Sequence, residues 1–508
     1  MGNQSNKGKV IVIGAGIGGL TSAALLARRG YQVTVYDQAI VPGGCASTFK
    51  RQGFTFDVGA TQVAGLEPGG IHQRIFQELE IELPPATICN PACAVYLPGE
   101  NEPINVWYNR QQWHQEREKQ FPGSKAFWQL LDKLFQASWQ FQAREPVLPP
   151  RHPWDIWQLI SALRLDTAIT FPFTFATVYD ALKIYGLEKN RRLKTFLDMQ
   201  LKLYSQVDTR ETALLYAATA LGVSQSPHGL YHLSPSMQIL SDHLVEALEK
   251  YGGKLCMPHK VEKIHTTGTQ ATAVTIRNLK NNKITRETAT HIVANVPVQN
   301  LVAMVELDKT NLFINLYRRR VDKLIEPSGA FVVYLGVNRE AIPKNCPLHL
   351  QFLYDYEGVI GENNSLFVSV SKAGDGRAPA GKATIIASSF TNVNMWWQGT
   401  KTEYEQLKEQ YTKEAISRLA QYFNLNSSTI IHQEAATPLT FAKYTARHKG
   451  IVGGVGQRVA TFGPFGFATR TPFSHLWLVG DSTHPGEGTA GVSYSALTAV
   501  RQIEAMES

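Results

Sequence analysis

Lys9-Val-Ile-Val-Ile13, then Gly14-Ala-Gly-Ile-Gly-Gly19, then an apolar-periodic run to Arg29, then Gln32-Val-Thr-Val-Tyr36-Asp37 decide the fold of this 508-residue chain. The order predicts strand, glycine turn, helix, strand, acid. Gly14 allows the tight turn, Gly16 lets backbone approach a pyrophosphate, and Gly19 lets the helix pack on the strand. Gly16, Ile17 and Gly18 open the helix, whose free N–H groups and positive dipole end favour a phosphate. Asp37 ends the second strand 23 residues after Gly14. That spacing suits a carboxylate accepting hydrogen bonds from a ribose diol. With every flank in place, the stretch predicts a dinucleotide-binding α/β unit.

Outward from it comes Val41-Pro-Gly-Gly-Cys-Ala-Ser-Thr48. In a nicotinamide-only unit the second strand leads to a crossover helix. Here it leads to Gly43 and Gly44, a second place for close backbone approach, as a longer flavin cofactor requires. Cys45 reads as a small residue in a tight loop. Far downstream, Leu476-Trp-Leu-Val479 runs into Gly480-Asp-Ser-Thr-His-Pro-Gly-Glu-Gly-Thr-Ala-Gly491 and an apolar helix. This second strand, glycine loop and helix places Asp481 where a carboxylate reaches a polyol hydroxyl. The helix start can stabilise negative charge on a flavin ring edge. Glu487, in the same loop, is the candidate catalytic residue for proton transfer or cation stabilisation, with helix capping as its plainer reading. Around Val261, the run Lys260-Val-Glu-Lys-Ile-His265 would bring backbone beside an adenine.

The length predicts more than one domain. Lys and Arg number 50 against 42 Asp and Glu, a net charge of +8. The basic excess favours anionic partners such as lipid headgroups. Nucleic acid fits poorly, since no binding signature or long Lys/Arg tract occurs. The five cysteines form no CxxC pair, so we expect no metal site and a reducing, cytoplasmic compartment. We read no signal peptide, no myristoylation signal and no membrane-spanning stretch. One region stands apart. Ile156, Leu159, Ile160 and Leu163 share a helical face behind Trp154 and Trp157, and 167–179 is uncharged and rich in Phe. Lys183, Lys189, Arg191, Arg192 and Lys194 follow. Aromatics beside cations suit peripheral contact with one leaflet of a membrane near 154–185. A core helix with a solvated charged face is the other reading.

Elsewhere the periodicity predicts helices at 70–81, on both sides of Pro122-Gly123 within 110–143, from Ser234 or Ser236 as N-cap to about Tyr251, and at 402–423. Short strands are predicted at 94–97, 104–107, between 254 and 296, and at 330–337, 348–354, 366–371 and 383–389.

Together, Gly14–Gly19 with Asp37, Pro42-Gly-Gly44, 53–59, and Gly480-Asp481 with His484-Pro-Gly486 resemble the FAD-dependent phytoene desaturase family of carotenoid oxidoreductases, within the amine-oxidase-like flavoproteins. The chain looks most like the cyanobacterial carotenoid 3′,4′-desaturases. Many members carry Glu where this chain has Asp37, which keeps the same acceptor chemistry. The resemblance implies an α/β, Rossmann-like FAD-binding domain built from 1–70, 225–300 and 455–508. An inserted α+β substrate domain from 71–224 and 301–454 would hold a carotenoid in an apolar tunnel. It implies desaturation by hydride transfer to flavin, with oxygen or a quinone as electron acceptor. The alternatives are a carotenoid cis–trans isomerase using reduced FAD, a ketolase, or a cofactor-free lipid carrier of the same fold.

Overall fold

The computed structural model describes residues 7–306 and 311–507. Its first layer is a five-stranded parallel sheet in the order Leu476–Leu478, His291–Ala294, Lys9–Ile13, Gln32–Tyr36, Lys254–Cys256. The inner strands are apolar nearly throughout because both faces are covered. The helices Ile17–Arg28, Gln238–Lys250 and Thr489–Glu507 pack together over one face. An antiparallel sheet of His259–Thr267, Gln270–Asn278 and Ile284–Thr288 and the helices Val298–Met304 and Leu312–Asp322 share the core of the other. The last strand lies beside His291–Ala294, which lies beside the first. The loops that leave the first and last strands therefore emerge at the same carboxyl edge, where ligands bind in such sheets.

The second layer is a seven-stranded sheet in the order Ile430–Ala436, Gly329–Asn338, Lys382–Thr391, Ser365–Val370, His349–Leu353, Cys93–Tyr96, Ile104–Val106. The helices Arg110–Gln120, Lys125–Ala143 and Arg191–Ser205 meet in an aromatic core of Trp113, Phe121, Trp128 and Phe196. The helix Ile71–Leu79 buries Ile75, Phe76 and Leu79 in the first core. Leu301, Ile314 and Val321 join the core against Ile11 and Ile292.

The helix predicted to start on Ser234 or Ser236 has another cap. It spans Gln238–Lys250, and Met237 N–H donates to Asp57 Oδ1 at 2.9 Å. Asp57 in turn holds Arg377 at 2.9 Å, and Arg377 reaches Asp375 at 3.3 Å. All three are buried. The cap thus comes from 180 residues away and ties the two layers together.

The segment near 154–185 divides: the helix Val178–Ile184 buries Val178, Ala181 and Leu182 in the second core, whereas its first helix is not a core helix. The helix Pro153–Ala162 buries only Asp155 and Ala162, leaving Ile156, Trp157 and Ile160 exposed. It is anchored by a polar foot. Asp155 accepts from Arg470 Nε at 3.1 Å and from Gln502 Nε2 at 3.0 Å. No helix of the described residues is long and apolar enough to cross a membrane.

Candidate functional site: a cradle joined to an apolar chamber

The two glycine loops meet on one residue, Asn295, at the end of the strand His291–Ala294. Its backbone N–H donates to Ile13 O at 2.8 Å. A Cβ placed on Gly16 would lie 2.8 Å from Asn295 Nδ2, and one on Gly18 or Gly480 2.9 Å from its Oδ1. Gly14 turns with φ +97°, and a Cβ there would meet Asn295 O at 2.7 Å. These positions are glycine because Asn295 fills the space side chains would take. At Gly19 the turn itself presses closest, since a Cβ there would fall 2.0 Å from Gly14 O and 3.1 Å from Asn295 Cβ.

A cavity of about 1250 Å³ runs along this edge. Gly14, Gly16, Ile17, Gly18, Asp37, Gly43, Gly44, Val261, Gly480, Asp481 and Glu487 all line it, whereas Gly19 is packed behind. Gly43 N–H donates to Ala15 O at 2.7 Å, so the second glycine loop closes on the first. Asp37 is held by Ala15 N–H and Ala39 N–H, each at 2.7 Å, which leaves further lone pairs for a diol. Burial raises its pKa, partly offset by those two bonds.

Asp481 is not free. Arg447 Nη2 donates to its Oδ2 at 2.7 Å. Burial raises the Asp481 pKa and the Arg447 cation opposes that. Arg447 follows the helix Pro438–Thr445, and residues 441–447 form one cavity wall. The end of this helix is held by Gln38 Nε2 donating to Lys443 O at 3.1 Å and Asn300 Nδ2 to Ala446 O at 2.8 Å. Sequence reading missed Arg447 and Asn295. The only signal for Asn295 was its place after a buried strand, and Arg447 gave none.

Beyond Asp481 the cavity becomes apolar and aromatic, with Leu203, Tyr204, Tyr216, Trp139, Phe462 and Leu230 in its wall. Glu487 stands at the junction. Its Oε2 accepts from Gln206 Nε2 at 3.0 Å, and its Oε1 is buried with no partner among the described residues. Gly453, at φ +69°, makes room, since a Cβ there would lie 2.1 Å from Glu487 Oε2. Burial pushes the Glu487 carboxyl up to about 8. Gln142 Oε1 and Gln206 Oε1 are likewise buried without partners in the cavity lining. A carboxamide offers both an N–H and a C=O, so these incompletely paired side chains suit the mixed acceptor and N–H edge of a flavin ring. Together with the glycine cradle and Asp37, the donor set fits FAD.

Comparison with known proteins agrees. Residues 12–79 match the NAD(P)-binding Rossmann-like domain family. Cyclohexylamine oxidase of Brevibacterium oxydans superposes with a TM-score of 0.60 at 15% identity, covering 98% of this chain and 99% of that one. Putrescine oxidase bound to putrescine gives 0.61 at 12% identity, covering 98% and 99%. The fold is of the amine-oxidase type. In sequence, the chain is 25% identical to carrot prolycopene isomerase, over 99% of its length and 81% of the relative. It is 24% identical to the 4,4′-diapophytoene desaturase of Staphylococcus haemolyticus, over 98% and 99%. It is similar to carotenoid desaturases and isomerases along almost its whole length, and its dinucleotide cradle together with these desaturase relatives makes it an oxidoreductase.

The Arg447–Asp481 pair yields a prediction. Arg447→Met strands a buried carboxylate and lowers the unfolding free energy of the cofactor-free chain by roughly 3 kcal/mol. Adding Asp481→Asn recovers much of that loss. Urea titration of the single and double variants checks it, and equal losses in both would remove the pair from the account.

Proposed function

We propose that this chain is an FAD-dependent desaturase of a carotenoid, introducing a 3′,4′ double bond at an acyclic end. One observation carries the reading: the dinucleotide cradle and an apolar, aromatic-walled chamber are a single cavity, with Glu487 at their junction. Bound FAD supplies a two-electron hydride acceptor, later reoxidised by oxygen or a quinone. The remaining tasks fall to the chain. Gly14, Gly16, Gly18 and Asp37 hold the cofactor's phosphates and ribose, Val261 backs its adenine, and Asp481 orients its polyol chain. The aromatic wall binds a polyene through apolar burial, roughly 25 cal/mol per Å² before ordering costs. It also excludes water from the reacting carbons. Glu487 takes the proton lost from the carbon next to the hydride donor.

One observation favours a second reading, a carotenoid isomerase. A carboxyl with a pKa of about 8 is mostly protonated at neutral pH. In that form it is an acid, suited to giving a proton to a polyene rather than taking one. Co-expression with several carotenoid pathways, with pigments resolved by mass and absorption, separates the readings. Desaturation removes two hydrogens and moves absorption to longer wavelength, whereas isomerisation leaves the mass unchanged. A flavin-loaded protein that alters no pigment in any pathway would overturn both.

A further inference from the structure

Asn295 follows the strand His291–Ala294 and stands between the two glycine loops with its carboxamide unpaired. Its backbone N–H goes to Ile13 O at 2.8 Å. The side chain lines the cofactor cavity and has no hydrogen-bond partner among the described residues. A half-buried carboxamide with neither end paired calls for a ligand.

Its surroundings tell the two ends of the amide apart. Oδ1 lies 2.9 Å from where a Cβ on Gly18 would stand, in the first turn of the helix Ile17–Arg28. The free N–H groups and positive dipole end of that turn favour an oxygen there. Nδ2 is the end turned to Gly16, at 2.8 Å on the same measure. Two N–H donors thus sit beside a helix opening that already suits a phosphate.

Gly16 supplies a second argument. Its φ of −74° is open to any residue, so the backbone does not demand glycine. Among the described residues, only the Asn295 amide comes within 4 Å of a Cβ placed there. Gly14 and Gly480 differ, since they turn with φ +97° and +109°, where glycine is favoured in any case.

We infer that Asn295 is a cofactor-binding residue: its Nδ2 donates to the diphosphate of FAD, and Gly16 is small so that the amide can stand there. The same side chain seats the second loop, because a Cβ on Gly480 would lie 2.9 Å from Oδ1. Holding the diphosphate therefore also sets where the loop carrying Asp481 and Glu487 begins. The diphosphate is what separates FAD from a mononucleotide flavin, so the amide reads that difference. The inference rests on the fit of the cradle to FAD and not on the carotenoid reading.

Fluorescence titration of the full chain with FAD, and calorimetric titration with ADP and with adenosine, test the contact. Asn295→Ala weakens FAD and ADP by about tenfold to a hundredfold, the range for a lost hydrogen bond to a charged group. Adenosine binding stays unchanged, which also certifies that the variant is folded. Asn295→Asp, of the same size, weakens FAD and ADP further, because it sets a negative charge against the phosphates. Gly16→Ala displaces the amide and matches the loss of Asn295→Ala. The double variant is then no weaker than either single one. Asn295→Asp with wild-type affinity for FAD and ADP overturns the contact. A loss as large toward adenosine places the effect off the diphosphate and overturns it too. Losses that add in the double variant show that Gly16 makes room for the cofactor itself, and overturn that half alone. A wild type that binds ADP but not FAD, with ADP weakened by the substitutions as stated, refutes the flavin cofactor and leaves the amide contact intact.

Discussion

Arg377→Met is expected to lower the unfolding free energy by about 3–5 kcal/mol, the largest single loss outside the cofactor site. Arg377 is enclosed, and its removal leaves Asp57 and Asp375 buried without their shared cation. It also removes the donor to Leu233 O at 2.8 Å. Asp57 simultaneously caps the helix Gln238–Lys250, so the damage reaches the first core. The loss depends on pH with a definite sign. Burial already holds the Asp57 pKa above its ordinary value, against the pull of Arg377. Without Arg377 it rises further, so the folded state keeps a proton that the unfolded state releases. Stability then falls as pH climbs from the usual carboxylate range toward the raised pKa, and the loss is greater near about pH 8 than near about pH 5. Urea midpoints at the two pH values measure this. A variant equally stable at both, or within about 1 kcal/mol of wild type, would contradict the account.

The same residues show what the sequence could reveal. Gly14–Gly19 and Gly480-Asp481 are legible because each motif is contiguous, with its flanking strand and helix adjacent in the chain. That the loops share one edge follows from strand order, which the periodicity of single strands does not encode. Asn295, Arg447 and Gln206 escaped reading because their roles arise from tertiary neighbours: two glycine loops, Asp481, and Glu487 respectively. The cap on Gln238–Lys250 escaped for the same reason, since two nearby serines offered a local solution that a distant carboxylate displaced. The helix Pro153–Ala162 shows the limit of periodicity from another side. An apolar face is evident from spacing, but only the polar foot at Asp155 shows that this face turns away from the core.

Glu487→Gln should lower turnover by roughly 10²–10⁴-fold, the range for a positioned proton-transfer group, with flavin still bound. Gln keeps the size and can still bond to Gln206, so the cradle is undisturbed and the loss reports the proton. The pH profile of the wild type then decides between the two chemistries. If Glu487 accepts a proton, as desaturation requires, only its ionised form works and activity rises with pH through about 8. If it donates one to a polyene, only the protonated form works and activity falls over the same interval. The substitution should flatten either limb. Stability supplies a check that needs no substrate. Because the folded carboxyl holds its proton up to about pH 8 while the unfolded one ionises near 4.5, folding takes up a proton between those values. The cofactor-free wild type therefore loses stability as pH rises across that window, and Glu487→Gln does not. Parallel stability curves with turnover unchanged would leave Glu487 no role beyond filling the space beside Gly453.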